Sequence, residues 1–213
     1  MGQRGQRRLA HSSQGAGLSS ANRIAKLMSL ALEHHRSGRL GQAEQCCQEI
    51  LAIEPNQVDG LHLLGVVAHQ TARNELAVEL IGNALAMNDQ VPVLHYNMAL
   101  ALRALGRTDD EIAHLRRAID LRPDYLEALW TLGNIFRERG ELDGAIACYR
   151  AALAARPDDA EARNNLGAVF MAQGKLAEAI DQFQQALAIK PDHAEAHYNL
   201  GSGCEIWVNR SRQ

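Results

Sequence analysis

The chain has 213 residues, with 22 Lys and Arg against 25 Asp and Glu, a formal charge of −3, and an apolar fraction of 46% that includes only 4% aromatic residues. No uncharged run approaches the roughly 20 apolar residues that a membrane-spanning helix requires. Nucleic acid is excluded as the main ligand, because phosphate binding requires a concentrated basic face. The first 23 residues, MGQRGQRRLAHSSQGAGLSSANR, are rich in Gly, Ser and Arg and lack hydrophobic periodicity, which predicts a disordered tail over 1–23. That tail carries Arg4, Arg7, Arg8 and Arg23 with no acidic residue, so the remainder has a formal charge of −7. Gln6 stands where a myristoylation signal carries Ser or Thr, and no apolar run follows Arg7-Arg8 as it would in a twin-arginine leader. A cytoplasmic location is the expectation.

From there the chain follows a ruler. Pro55, Asp89, Pro123, Pro157 and Pro191 lie 34 residues apart, dividing the sequence into repeats 24–57, 58–91, 92–125, 126–159 and 160–193, with a partial sixth from 194. A fixed period of this length marks stacked units, each too small to bury its own apolar face. In the two cleanest copies Leu132, Gly133, Phe136, Gly140, Ala145, Tyr149, Ala152 and Pro157 recur as Leu166, Gly167, Phe170, Gly174, Ala179, Phe183, Ala186 and Pro191, and Leu129 is replaced by Arg163. Apolar spacings of three and four predict two amphipathic helices per repeat, helix A and helix B. Gly38, Gly106, Gly140 and Gly174 fall where helix A stops, with Ala72 in that place in the second repeat. Gly65, Gly133, Gly167 and Gly201, with Ala31 and Ala99, predict close approach of helix B. The prolines end helix B.

Departures from the pattern carry their own expectations. Glu111 takes the small-residue place of Ala43, Ala77, Ala145 and Ala179, so the third repeat is expected to tilt its second helix or let the carboxylate reach water. The first repeat has His34, Cys47 and Ile50 where the clean copies have Phe, an aromatic residue and Ala, as a degenerate end repeat would. Residues 194–213 begin as a helix A that lapses after Gly201 into an irregular C-terminus exposing Ile206 and Trp207. A polar cap and a truncated or frame-shifted copy of a longer repeat protein are both open readings of that segment.

Together these motifs resemble the tetratricopeptide repeat, whose signature is a large residue-x2-Leu-Gly-x2-aromatic, then Ala-x3-aromatic, then Pro. The resemblance implies an all-α, right-handed superhelical solenoid whose inner groove is lined by helix A. Residues two places before each buried Leu lie about 200° round the helix, pointing away from the core of their own repeat. These are Met28, His62, Tyr96, Trp130, Asn164 and Tyr198; the next residues are Ser29, Leu63, Asn97, Thr131, Asn165 and Asn199. One turn on stand Arg103 and Arg137, placed to hold an acidic side chain. The resemblance thus implies a non-catalytic scaffold that captures a protein or peptide segment through His62, Tyr96, Asn97, Arg103, Trp130, Thr131, Arg137, Asn164, Asn165, Tyr198 and Asn199. Amide side chains there suit backbone groups, and aromatic ones supply contact area. The lysines or arginines of chaperone-tail carboxylate clamps are replaced by Tyr96 and Trp130.

A second resemblance is to the repeat region of the O-linked N-acetylglucosamine transferases, carried by Asn165-Leu166-Gly167 and Asn199-Leu200-Gly201, with Asn97-Met98-Ala99 upstream. It implies a substrate-recruiting segment of a glycosyltransferase; attachment to another catalytic domain, such as a methyltransferase or sulfotransferase, is the further alternative. No catalytic constellation is present: G-x-S-x-G, G-x-x-x-x-G-K and a strand-linked glycine fingerprint are all missing, so no catalytic residue and no cofactor are assigned. Cys46, Cys47, Cys148 and Cys204 have no Cys-x2-Cys spacing, and His193 with His197 straddle the inter-repeat turn without HExxH, so no metal is expected. His35 and His69 occupy equivalent places in successive repeats.

Overall fold

The computed structural model describes the backbone of residues 3–211 and the side chains of residues 20–208. Among the described residues there are eleven α-helices and no strand: α1 (Gln3–Arg36), α2 (Leu40–Ile53), α3 (Val58–Gln70), α4 (Asn74–Met87), α5 (Pro92–Ala104), α6 (Thr108–Leu121), α7 (Leu126–Glu138), α8 (Leu142–Ala155), α9 (Ala160–Ala172), α10 (Leu176–Ile189) and α11 (Ala194–Ser211). The chain forms two compact units, Met1–Glu111 and Ile112–Gln213. In the first, α1 packs on α2, α3 on α4, and the pairs join through α2 with α3 and α4 with α5. In the second, α7 packs on α8 and α9 on α10, joined through α8 with α9, and α10 carries α11.

The turns explain the period. After each helix A, Gly38, Gly106, Gly140 and Gly174 adopt φ near +70° (71°, 70°, 73° and 73°). The next residue then donates its amide back across the end of the helix: Arg39 to His34 O at 2.9 Å, Arg107 to Leu102 O at 3.0 Å, Glu141 to Phe136 O at 2.8 Å and Lys175 to Phe170 O at 2.9 Å. Ala72 makes the same turn at φ 60°, with Arg73 N bonded to Ala68 O at 2.8 Å. Its Cβ accepts a strain of order 1–2 kcal/mol that glycine avoids. Helix B ends where the residue before proline is pushed into extended backbone, as at Glu54, Arg156 and Lys190; Asn88 does the same before Asp89.

The core is built by helix B reaching into the glycines of helix A. A Cβ added at Gly65 would lie 2.6 Å from Ile81 Cγ1, at Gly133 2.9 Å from Tyr149 Cε1, and at Gly167 2.6 Å from Phe183 Cε1. At Gly201 nothing lies within 4 Å. Ala77, Ala145 and Ala179, with Ala84, Ala152 and Ala186, are completely buried and bring the two helices together.

Three expectations change. The backbone from Gln3 to Arg36 is one helix, so the described part of the expected tail is helical; no proline interrupts this stretch, and Arg23 reaches to 3.8 Å from Glu49 on α2. The side chains of Arg4, Arg7 and Arg8, on which the basic-tail reading rests, lie outside the described residues. At the other end α11 does not lapse at Gly201 but continues to Ser211. Val208 occupies the place of Gly140 and Gly174, and a β-branched residue resists the left-handed conformation that ends α7 and α9. Finally, Glu111 neither reaches water nor stands unpaired: it is 2% exposed and accepts from Arg103 Nε at 2.7 Å. The guanidinium compensates a carboxylate in a place built for alanine.

Candidate partner-binding surface

Helix A supplies the candidate residues in both units, and each unit organises them by the same rule. Hydrogen bonds between successive A helices join residues 35 apart, one repeat plus one residue. In the first unit Asn97 on α5 donates through Nδ2 to His62 Nε2 on α3 at 2.6 Å, and His35 on α1 meets Gln70 Oε1 on α3 at 3.0 Å. The apolar version is Met28 packed against the cluster that contains Leu63. In the second unit Asn199 on α11 donates through Nδ2 to Asn164 Oδ1 on α9 at 3.0 Å. The direction that leads away from the core of one repeat therefore leads towards the neighbouring A helix.

This ladder redistributes the predicted residues. Asn164 is completely buried and Asn199 nearly so, which removes Asn164 from contact with any ligand: its carboxamide oxygen accepts from the next helix, and its Nδ2 has no hydrogen-bond partner among the described residues. His62 and Asn97 are half-buried and spend a donor and an acceptor on each other. Burial pushes the His62 imidazole below its usual range against the opposing pull of Asp59. The neutral ring is the form that accepts from an amide. Leu63 is core.

The cations divide likewise. Arg103 was placed by sequence to hold a ligand carboxylate, but Glu111 of the same chain already takes its Nε. Arg137 is exposed and its charge acts on the Tyr149 hydroxyl, which donates to Asn134 Oδ1 at 2.6 Å. Burial outweighs Arg137 there and pushes the Tyr149 phenol up to about 12.

The aromatic positions remain the more accessible ones. Tyr198 on α11 is 75% exposed. Trp130 on α7 is half-buried beneath the Arg156 guanidinium, 5.6 Å from its ring centroid, and its indole Nε1 is buried with no hydrogen-bond partner among the described residues. Tyr96, Thr131 and Asn165 are half-buried. The second unit thus presents ring surface from Trp130 and Tyr198 and an amide from Asn165. Its chemistry is that of contact and hydrogen bonding. His193 and His197 are engaged elsewhere, with Glu161 Oε2 at 3.2 Å and Pro191 O at 2.8 Å. Among the described residues no helix is long and apolar enough to cross a membrane.

A 35-residue rung was missed because the repeat period aligns equivalent positions without showing which of them face each other. A search for matched polar or matched apolar pairs at one repeat plus one would have found His62–Asn97, Asn164–Asn199 and Met28–Leu63.

Comparison with known proteins supports the same architecture. The TPR repeat family matches residues 133–174 and 169–202, and the tetratricopeptide repeat family matches residues 62–125, between them more than half of the chain. No curated protein sequence matches the chain. Among solved structures, the MamA protein is similar at 23% identity and a TM-score of 0.71, over 82% of this chain and 96% of that one. YrrB, described as a TPR protein with an unusual peptide-binding site, aligns at 22% identity and a TM-score of 0.68, over 81% and 89%. The pilF protein of Pseudomonas aeruginosa aligns at 16% identity and a TM-score of 0.77, over 91% and 88%. With its paired helices on a 34-residue period, its glycine and proline punctuation and both family matches, the chain belongs to the tetratricopeptide repeat proteins.

Proposed function

We propose that this protein is a non-catalytic interaction scaffold whose second unit binds a segment of a partner protein on its helix-A face. The observation that carries the reading is the setting of Trp130, whose half-buried ring on α7 lies beneath the Arg156 guanidinium and leaves aromatic surface on helix A of the second unit. Asn165 and Tyr198 add an amide and an exposed ring to the same unit, and aromatic residues supply a large share of binding energy at protein interfaces. The peptide-binding site of YrrB supports the class of ligand, not its sequence. Buried thiols at Cys47 and Cys148, with Cys46 and Cys204 also free, suit the reducing cytoplasm.

The asparagine succession supplies no separate argument for the recruiting segment of a glycosyltransferase. Two of its members, Asn164's neighbour on the ladder and Asn97, are used between helices.

The test is capture from a library of unstructured 12-residue peptides (about that length spans several repeats) by the protein and by its Trp130→Phe/Asn165→Ala variant. Phe shrinks the ring surface offered at Trp130, and Ala removes the Asn165 amide. Captured peptides should bind the variant at least about tenfold more weakly, with unchanged helical circular dichroism. Equal capture by both proteins refutes the assignment.

A further inference from the structure

The A helices of the second unit carry a repeating charge beside their aromatic surface. Glu127, Glu161 and Glu195 stand 34 residues apart, all three exposed, in the first turns of α7, α9 and α11. A spacing of three puts Glu127 on the face of Trp130 and Glu195 on that of Tyr198, and a spacing of four puts Glu161 on that of Asn165. The fold does not need an acid there: the first unit has Val93 at the equivalent place, and α5 forms with no acidic residue in its first turn. Glu161 meets His193 Nε2 at 3.2 Å, while Glu127 and Glu195 make no ion pair among the described residues. The stretches around the three, 122–127, 156–163 and 190–197, hold seven acidic residues against four basic ones. Of those four, Arg122 and Arg156 lie over the rings of Tyr125 and Trp130, Arg163 donates to Pro157 O at 3.0 Å and to Gln185 Oε1, and Lys190 is exposed. The other cations of these A helices, Arg137 and Arg210, follow ten and fifteen residues after Glu127 and Glu195, about 15 and 22 Å along the helix.

We propose that the segment bound by the second unit is proline-rich and basic, in the polyproline II conformation with a Lys or Arg at every third residue; this deepens, and rests on, the peptide-binding reading above. Packed helices lie about 8–10 Å apart, and the Asn164–Asn199 rung joins α9 and α11 directly. A polyproline II chain advances about 9.3 Å every three residues and returns its side chains to the same side. Cations at i, i+3 and i+6 therefore meet Glu127, Glu161 and Glu195 in turn. A β-strand covers the distance in three residues but turns the third side chain away. An α-helix matches it only every seven residues or so and has its backbone groups bonded within itself, leaving nothing for the half-buried Asn165 amide. The backbone of a polyproline II segment is free to meet that amide. Trp130 and Tyr198, two repeats apart, then lie about six ligand residues apart, and aromatic-lined grooves are where such segments dock. Charge sets the sign: this edge attracts lysine and arginine and repels an acidic segment.

The probe is a fluorescently labelled peptide of four Lys-Pro-Pro repeats, titrated against the full chain by anisotropy. Binding should saturate and should weaken as salt is raised. The same residues with the lysines at alternate positions should bind at least about fivefold more weakly, and a Glu-Pro-Pro peptide should not bind. Glu127→Gln/Glu161→Gln/Glu195→Gln should weaken the Lys-Pro-Pro peptide at least about tenfold. Trp130→Phe/Asn165→Ala should weaken it too, since rings and glutamates share one face. Failure to saturate, equal binding of the two lysine spacings, binding of the Glu-Pro-Pro peptide, or binding unchanged in either variant overturns the proposal. The underlying peptide-binding reading fails separately: library peptides captured equally by the protein and its Trp130→Phe/Asn165→Ala variant refute that reading, whereas a captured set with no excess of Lys or Arg refutes the basic segment alone.

Discussion

Gly167 and Gly201 occupy the same place in successive repeats, yet alanine should have opposite effects at the two. At Gly167 the new methyl would sit 2.6 Å from Phe183 Cε1 and 2.8 Å from Cδ1. Carbon atoms pack best at about 3.5–4.0 Å, so the ring must retreat by about 1 Å. Phe183 is completely buried, and retreat means displacing its other neighbours. Overpacking of this kind costs about 1–3 kcal/mol, against a gain of about 1 kcal/mol from replacing glycine in a helix. The net loss at Gly167 is about 1 kcal/mol. At Gly201 the steric cost vanishes and the helical gain of up to about 1 kcal/mol remains, so the variants should differ by about 2 kcal/mol. Urea denaturation followed by circular dichroism measures the loss at Gly167. Repeat arrays unfold in parts, so the gain at Gly201 is read by amide hydrogen exchange within α11, where protection should rise. Equal shifts of the same sign would refute the reasoning, since they would show that helix propensity and not the filling of the glycine notch decides this position.

Two further outcomes follow from the titrating groups. Burial raises the Cys47 thiol to about 12 and the Cys148 thiol to about 11, and it also raises Cys46. At about pH 8, a thiol reagent should therefore label exposed Cys204 first and reach Cys47 and Cys148 only as the fold opens; Cys204→Ser should abolish the fast phase. The second outcome concerns Glu44, which takes two bonds from Arg73, at 2.8 and 2.7 Å, and is thereby held below its usual 4.5. A depressed carboxylate contributes stability above its unfolded value and loses it as pH falls through the folded one. The stability difference between the native chain and Arg73→Met should be present at neutral pH and shrink below 4.5; a difference independent of pH would show that the ion pair contributes nothing.

The features legible in the sequence are those imposed by backbone chemistry. A glycine that must adopt positive φ and a proline that forbids a helical neighbour act locally, so Gly106, Gly140 and Gly174 mark the ends of α5, α7 and α9, and Pro157 and Pro191 those of α8 and α10. Even Ala72 is placed correctly by position, although its side chain opposes the turn. Glu111 defeats the same reasoning because its burial depends on one side chain, Arg103, reaching back to it. Repeat equivalence says nothing about that.

The asparagines defeat it for a geometric reason. Rotation about the helix axis correctly directs Asn164 away from the core of its repeat, but that direction is occupied by α11, one repeat and one residue along. Short polar side chains at these places close rungs between A helices, as Asn97 does with His62 and Asn199 with Asn164. A larger ring such as Tyr198 instead stands clear at 75% exposure. Rung formation thus consumes the amides best suited to reading a peptide backbone and leaves aromatic surface as the main resource. On the proposed reading, affinity rests on ring contact at Trp130 and Tyr198, with Asn165 as a remaining amide, so partner choice should follow apolar and aromatic side chains of the ligand more closely than its backbone.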